Sequence, residues 1–241
     1  MLAARNRSAD HAGYNSQAMS SVLGIFGGTF DPVHCGHLEL AREVRAALDL
    51  AAVRFIPAGD PPHRAAPVAT AMHRLAMVEL AVADHPDLEV DSREIQRRGR
   101  SYTVETLEEL RIELPSHALA VIVGADAFLG FPTWHRWREL FDFAHVVVVA
   151  RPGVAFDRAL APPLADEWVR RLRDDASVLS IEQAGAIIVQ PITAHAIAAS
   201  AIRAELARGA EGIAAVRGLL PAAVLAYIDR NQLYRSRPDA T

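Results

Sequence analysis

Lysine is absent: all 25 basic residues of the 241-residue chain are arginine. Schiff-base and pyridoxal-phosphate enzymes, lysine-nucleotidyl intermediates and Walker-type P-loops all depend on a lysine amine. None of those chemistries is available here. Cys35 is the only cysteine, which rules out an internal disulfide and a thiolate zinc cluster and fits a reducing, cytoplasmic setting. No apolar run approaches the ~18 residues needed to span a bilayer, so no membrane partner is expected. Residues 1–20 lack the apolar centre of a secretory signal. They read as a disordered extension, with Met19 a candidate start, ahead of a single domain over residues 21–235. A positive field is lacking too: 25 basic against 29 acidic residues leave a net charge of −4, so no nucleic-acid partner is expected.

What is present suits a soluble globular chain. Hydrophobic residues make up 51% of the sequence, enough to bury a sizeable core without metals or disulfides. Short apolar runs at 22–26, 53–57, 88–91, 118–123, 145–150 and 187–190 are strand candidates. Helical patterns at 36–48, 71–83, 103–112 and 134–141 lie between them. The β-branched segments within VIVGAD and HVVVVARPG are expected for strands covered on both faces. This alternation predicts an α/β fold with a mostly parallel sheet, followed by helices at 200–208 and 221–231. In such sheets ligands bind where the strands end and their connections diverge.

The first strand runs into Gly27-Gly28-Thr29-Phe30-Asp31-Pro32-Val33-His34-Cys35-Gly36-His37. Two glycines permit a tight turn and close approach of backbone amides to an anion. The helix beginning near Gly36 adds its positive end. His34 and His37, three apart, project to one side of that helix start. The assembly reads as a phosphate cradle. A G-x-G-x-x-G dinucleotide fingerprint is missing, and two histidines with one flanking cysteine make a poor zinc set. Cys35 reads as a passenger between the histidines, and Asp31 as structural or solvated.

GGTFDPVHCGHL is similar to the signature of the nucleotidylyltransferase superfamily that carries an HxGH motif. From about Val22 to Tyr234 the chain resembles bacterial nicotinate-mononucleotide adenylyltransferases. The resemblance implies a Rossmann-like fold with helices on both faces and a helical C-terminal part. It implies transfer of the adenylyl group of ATP to nicotinate mononucleotide, giving deamido-NAD and pyrophosphate. Nicotinamide mononucleotide or phosphopantetheine as acceptor, or a regulator that binds nucleotide without turnover, are the competing readings. Magnesium is expected to arrive with ATP, without a dedicated protein ligand. The resemblance leaves a homo-oligomer open.

Roles follow by the same resemblance. His34, His37 and Arg203 would be catalytic, donating to the ATP phosphates. Arg203 and Ser200 belong to Ile197-Ala198-Ala199-Ser200-Ala201-Ile202-Arg203, similar to the family's second signature, with Ala198 standing where a small hydroxyl is usual. Gly27, Gly28, Thr29, Phe30, Gly124, Asp126, Arg151 and Ser200 would bind ATP. His63 and Arg64, in the Pro61-Pro62-His63-Arg64 loop, would touch the mononucleotide. Thr103 would do so from the helix start in Ser101–Leu107, and Trp134 by stacking on the pyridine ring, whereas Trp137 reads as a core anchor.

Overall fold

The apolar run at 118–123 buries all six of its side chains, and it does so by lying in the middle of a sheet. The computed structural model describes residues 21–59, 66–150, 156–193 and 197–235; the extension expected over residues 1–20 lies outside them. The first half contains β1 (Val22–Gly28), α1 (Cys35–Ala47), β2 (Ala52–Pro57), α2 (Ala71–Val82), β3 (Leu88–Val90), α3 (Arg93–Gln96) and α4 (Thr103–Glu113). Next come β4 (Ala118–Gly124), α5 (Ala125–Leu129), α6 (Leu140–Phe143), β5 (His145–Ala150), α7 (Pro162–Arg171), α8 (Val178–Ile181) and β6 (Ile187–Pro191). Three helices close the described chain: α9 (Ala199–Leu206), α10 (Ala210–Ala215) and α11 (Ala222–Arg230). No helix among the described residues is long and apolar enough to cross a membrane.

The sheet has the order β3-β2-β1-β4-β5-β6, and every described pairing is parallel. Strand periodicity divides its apolar side chains between two layers. Ala118, Ala120 and Ile122 of β4 face one core with α1, α2, α9 and α11. Leu119, Val121 and Val123 face the other, with α4, α5, α6 and α7. Each fully buried valine or isoleucine contributes roughly 1.5–3 kcal/mol, so the two layers rather than helix propensity hold the domain together. This is the α/β fold with a parallel sheet that the sequence pattern predicts, and the Rossmann-like arrangement that the resemblance implies.

One expectation is corrected. The helix expected over 134–141 is instead the 3-10 turn Trp137–Glu139 followed by α6, with another 3-10 turn, Phe131–Thr133, just ahead of the expected span. Between them Trp134 is extended and Arg136 is left-handed, with φ of 50°. The Arg136 guanidinium pairs with both Glu108 of α4 and Glu139. Those ion pairs hold a backbone conformation that a non-glycine side chain disfavours. The break parts the tryptophans: Trp137 is buried beneath Arg138, whereas Trp134 lines a cavity.

Candidate active site

At the carboxyl ends of the strands the connections separate between β1 and β4. The chain leaves β1 toward α1 on one face, and leaves β4 into α5 on the other. Such a switch point opens a crevice. Here it holds two adjoining cavities, one of 570 Å³ and one of 360 Å³. Gly27, Gly28, Thr29, Asp126 and Trp134 line both, so the two are compartments of one cleft.

The larger compartment is built by the β1–α1 turn. Phe30 adopts a left-handed backbone, φ 49°, and buries its ring against Phe26, Phe55 and His37 at centroid distances of 5.6, 5.4 and 5.1 Å. A Cβ at Gly28 would stand 2.9 Å from that ring, which explains the glycine. Arg74 braces the turn from below. It is 1% exposed, and its guanidinium donates to the Thr29 carbonyl at 2.8 Å and the Gly59 carbonyl at 3.0 Å. The buried Asp31 carboxylate accepts from the Val68 and Ala69 amides, at 2.8 and 3.1 Å, and from the Tyr234 hydroxyl at 2.7 Å. Burial, reinforced by that carboxylate, holds the Tyr234 phenol well above its usual range, so it remains a donor. Arg203 of α9 reaches in and donates to the Asp31 carbonyl at 2.7 Å.

His34 and His37 stack with centroids 3.6 Å apart. The His34 amide donates to His37 Nδ1 at 3.2 Å, satisfying an N-cap amide of α1. That bond leaves the proton on Nε2, so His37 meets the larger cavity with a donor nitrogen. Burial pushes His34 down to about 4, and burial together with the neighbouring imidazole pushes His37 down to about 3. Both rings are therefore neutral in the free protein at physiological pH. His34 stands behind His37 and does not itself line either cavity; its Nδ1 is buried without a hydrogen-bond partner among the described residues.

The smaller compartment has a different composition. Thr103 and Tyr102 present the start of α4, whose N-cap residue, Tyr102, makes no side-chain cap. First-turn amides of an uncapped helix are orphan donors, and they favour an anion. Trp134 supplies a flat aromatic wall, with its ring 4.7 Å from the buried Phe131. Glu94 and Thr106 complete this end, and the Thr106 hydroxyl donates to Glu94 Oε1 at 2.9 Å.

The cytidylyltransferase-like family matches residues 25–206. A "probable nicotinate-nucleotide adenylyltransferase" of Dechloromonas aromatica (strain RCB) is 49% identical over 220 residues, covering 90% of this chain and 100% of the relative. The chain belongs to the nicotinate-nucleotide adenylyltransferase family. A relative of the same name from Halorhodospira halophila (strain DSM 244 / SL1) is 50% identical, covering 84% of this chain and 90% of the relative. At 14% identity, the structure of Plasmodium falciparum nicotinic acid mononucleotide adenylyltransferase complexed with NaAD shares the fold, with a TM-score of 0.66 over 89% of this chain and 97% of that one.

Within this family framework the expected residues fall into distinct groups. His37, Arg203, Gly27, Gly28, Thr29, Phe30, Gly124 and Asp126 all line the larger cavity, while Thr103 lines the smaller and Trp134 both. Ser200 sits exposed on the first turn of α9 and lines neither; Ala199 lines the larger cavity instead. Ala198 is the N-cap of α9, where its missing hydroxyl leaves the helix without a side-chain cap. His63, Arg64 and Arg151 lie outside the described residues. Sequence reasoning missed Arg74, although a lone charge within the buried stripe Arg74-Met77-Val78-Ala81 is a legible signal. It also missed Glu94, whose short helix carries no hydrophobic period.

Proposed function

We propose that this protein transfers the adenylyl group of ATP to nicotinate mononucleotide, releasing pyrophosphate and giving deamido-NAD for NAD biosynthesis. The observation that carries the proposal is the pair of adjoining cavities sharing the wall Gly27-Gly28-Thr29, with phosphate donors on one side and an aromatic wall with a helix start on the other. ATP occupies the larger compartment and the mononucleotide the smaller. A 5′-phosphate oxygen of the mononucleotide then meets the α-phosphorus near the glycine turn. The new P–O bond forms as the bond to pyrophosphate breaks, with no covalent protein intermediate. The protein's contribution is alignment and charge stabilisation.

His37 Nε2–H donates to the phosphates, and Arg203, anchored on the Asp31 carbonyl, neutralises charge on the departing pyrophosphate. His34 works through its stack on His37, as a positioning group. Phosphate charge arriving at the His37 Nε2–H strengthens that hydrogen bond, while Nδ1 goes on accepting from the His34 amide. Asp126 offers a carboxylate to ribose hydroxyls beside both compartments. Magnesium enters as part of the substrate, MgATP, coordinated by phosphate oxygens and water. The Asp31 carboxylate, already committed to three donors, is not free for it. The reading places the reaction in the cytoplasm, where a single cysteine stays reduced. ATP labelled at the α-phosphorus tests the proposal: the label is expected in a dinucleotide product formed with nicotinate mononucleotide. Label retained in ATP, or released as free AMP, would refute it.

A further inference from the structure

Glu94 belongs to the lining of the smaller cavity, the compartment that would receive the carboxylate-bearing pyridinium ring. It lines that cavity together with Ser101, Thr103, Thr106 and Trp134, and does not line the larger compartment. The side chain is fixed there from several directions. Thr106 Oγ1 donates to its Oε1 at 2.9 Å, and Ser101 Oγ donates to its backbone carbonyl at 3.2 Å. Gly59 closes the back: a Cβ there would stand only 2.2 Å from the same carbonyl. The first turn of α4 supplies donors suited to a carboxylate, yet Glu94 in its ionised form supplies acceptors only. An acceptor-only group faces a carboxylate badly and a carboxamide well.

Resting on the function proposed above, we infer that Glu94 sets the choice between acid and amide acceptors through its own protonation. Neutral, its O–H donates to the ring carboxylate of nicotinate mononucleotide. Ionised, it repels that carboxylate and accepts an N–H from the carboxamide instead. Binding of the acid to the ionised form takes up one proton from solvent, which stays on Glu94 and is returned when the product leaves.

The surroundings favour the neutral form of this carboxyl more than water does. Burial is the largest influence and raises its ionisation above the usual carboxylate range. The Thr106 hydrogen bond and Arg97 oppose it, while Asp91 and Glu109 push in the same direction as burial. Arg97 is itself committed, donating to Glu109 at 2.8 Å and to Thr106 at 3.2 Å, with Glu105 at 4.0 Å. His135 and Asp126 line the same cavity. An arriving substrate carboxylate adds one more negative charge and favours the neutral form further.

The test is the ratio of kcat/KM for nicotinate mononucleotide to that for nicotinamide mononucleotide, measured from pH 5.5 to 9. Titration of the 5′-phosphate is common to both substrates and cancels in the ratio. The wild type is expected to lose about tenfold in this ratio as pH rises through a single ionisation, since each tenfold corresponds to about 1.4 kcal/mol. Glu94→Gln keeps an acceptor for Thr106 and a donor for the carboxylate, so its ratio is expected to stay high and flat. Thr106→Val removes the hydroxyl that favours the ionised form and is expected to move the break to higher pH. It also carries the test if Glu94→Gln does not fold, as judged by Tm. A flat wild-type ratio, or variants that follow the wild-type profile, overturns the role of Glu94 alone. Turnover of neither mononucleotide overturns the functional reading, and this inference with it.

Discussion

The two walls of the cleft are built in opposite ways. The phosphate wall comes from one continuous stretch, Gly27–His37, and its backbone is tied down by groups from distant parts of the chain: the buried Arg74 and Tyr234 and the half-buried Arg203. The acceptor wall is assembled from Glu94, Ser101–Thr106 and Trp134, and its shape depends on half-exposed ion pairs such as Arg136 with Glu108. Phosphate recognition demands amides and imidazoles held to within a fraction of an ångström, which a buried brace provides. Telling one pyridine from another needs a few polar groups around a flat face, and those tolerate an assembled and more solvated wall.

Removing a donor from the phosphate wall should produce the largest effect. His37→Ala is expected to lower kcat by a factor of about 10²–10³, or about 2.7–4 kcal/mol. Its Tm should fall only modestly, because the ring caps a helix end rather than filling the core. Wild-type turnover in a folded His37→Ala protein would remove the histidine from the mechanism. Arg74→Met should follow in size. Two carbonyls lose a charged donor in a buried setting, so about 2–3 kcal/mol of stability should disappear from urea unfolding, with kcat reduced as the turn loosens. On the opposite wall, Arg136→Ala should leave the urea midpoint nearly unchanged and raise KM for the mononucleotide alone. Equal stability losses at Arg74 and Arg136 would erase the contrast between the walls.

That contrast also explains what the sequence discloses. Gly27–His37 was legible because the cradle is contiguous, and its residue types have few uses in common. The strands were legible from uninterrupted β-branched runs such as Val146–Val149. By contrast, the break at 134–136 depends on Glu108, nearly thirty residues away, and no local propensity encodes that partner. Arg74 acts on carbonyls of Thr29 and Gly59, groups that every residue possesses and no motif can mark. Glu94 belongs to the cleft only because α3 folds against the start of α4.

Acid should reveal the buried imidazoles as a loss of stability. His34 and His37 have values near 4 and 3 when folded against 6.5 when unfolded, so the unfolded chain binds more protons between those limits. Stability is therefore highest above pH 6.5 and falls as pH drops, by up to about 1.4 kcal/mol per pH unit for each ring. Urea titrations between pH 7.5 and 5 measure it, and His37→Gln should remove one ring's share of the slope. An unchanged slope would mean that His37 is already protonated in the fold. The smallest effect is expected at Trp134→Ala. Lost stacking of ~0.5–1.5 kcal/mol should raise KM for both mononucleotides by roughly two- to tenfold and leave their ratio almost unchanged. Thr103→Val, which removes a donor hydroxyl, should instead erode the ratio.

The most direct test of a cleft with a phosphate side and an acid-selecting side compares both mononucleotides on the wild-type protein. Pyrophosphate and dinucleotide are measured together, with ATP saturating, at pH 7. The expected result is one pyrophosphate per dinucleotide and a kcat/KM that favours nicotinate mononucleotide by roughly 5- to 150-fold, the range for ~1–3 kcal/mol of unpaired polar groups. Equal values for the two acceptors, or a preference for the amide, would contradict the assignment of the smaller cavity to the acid.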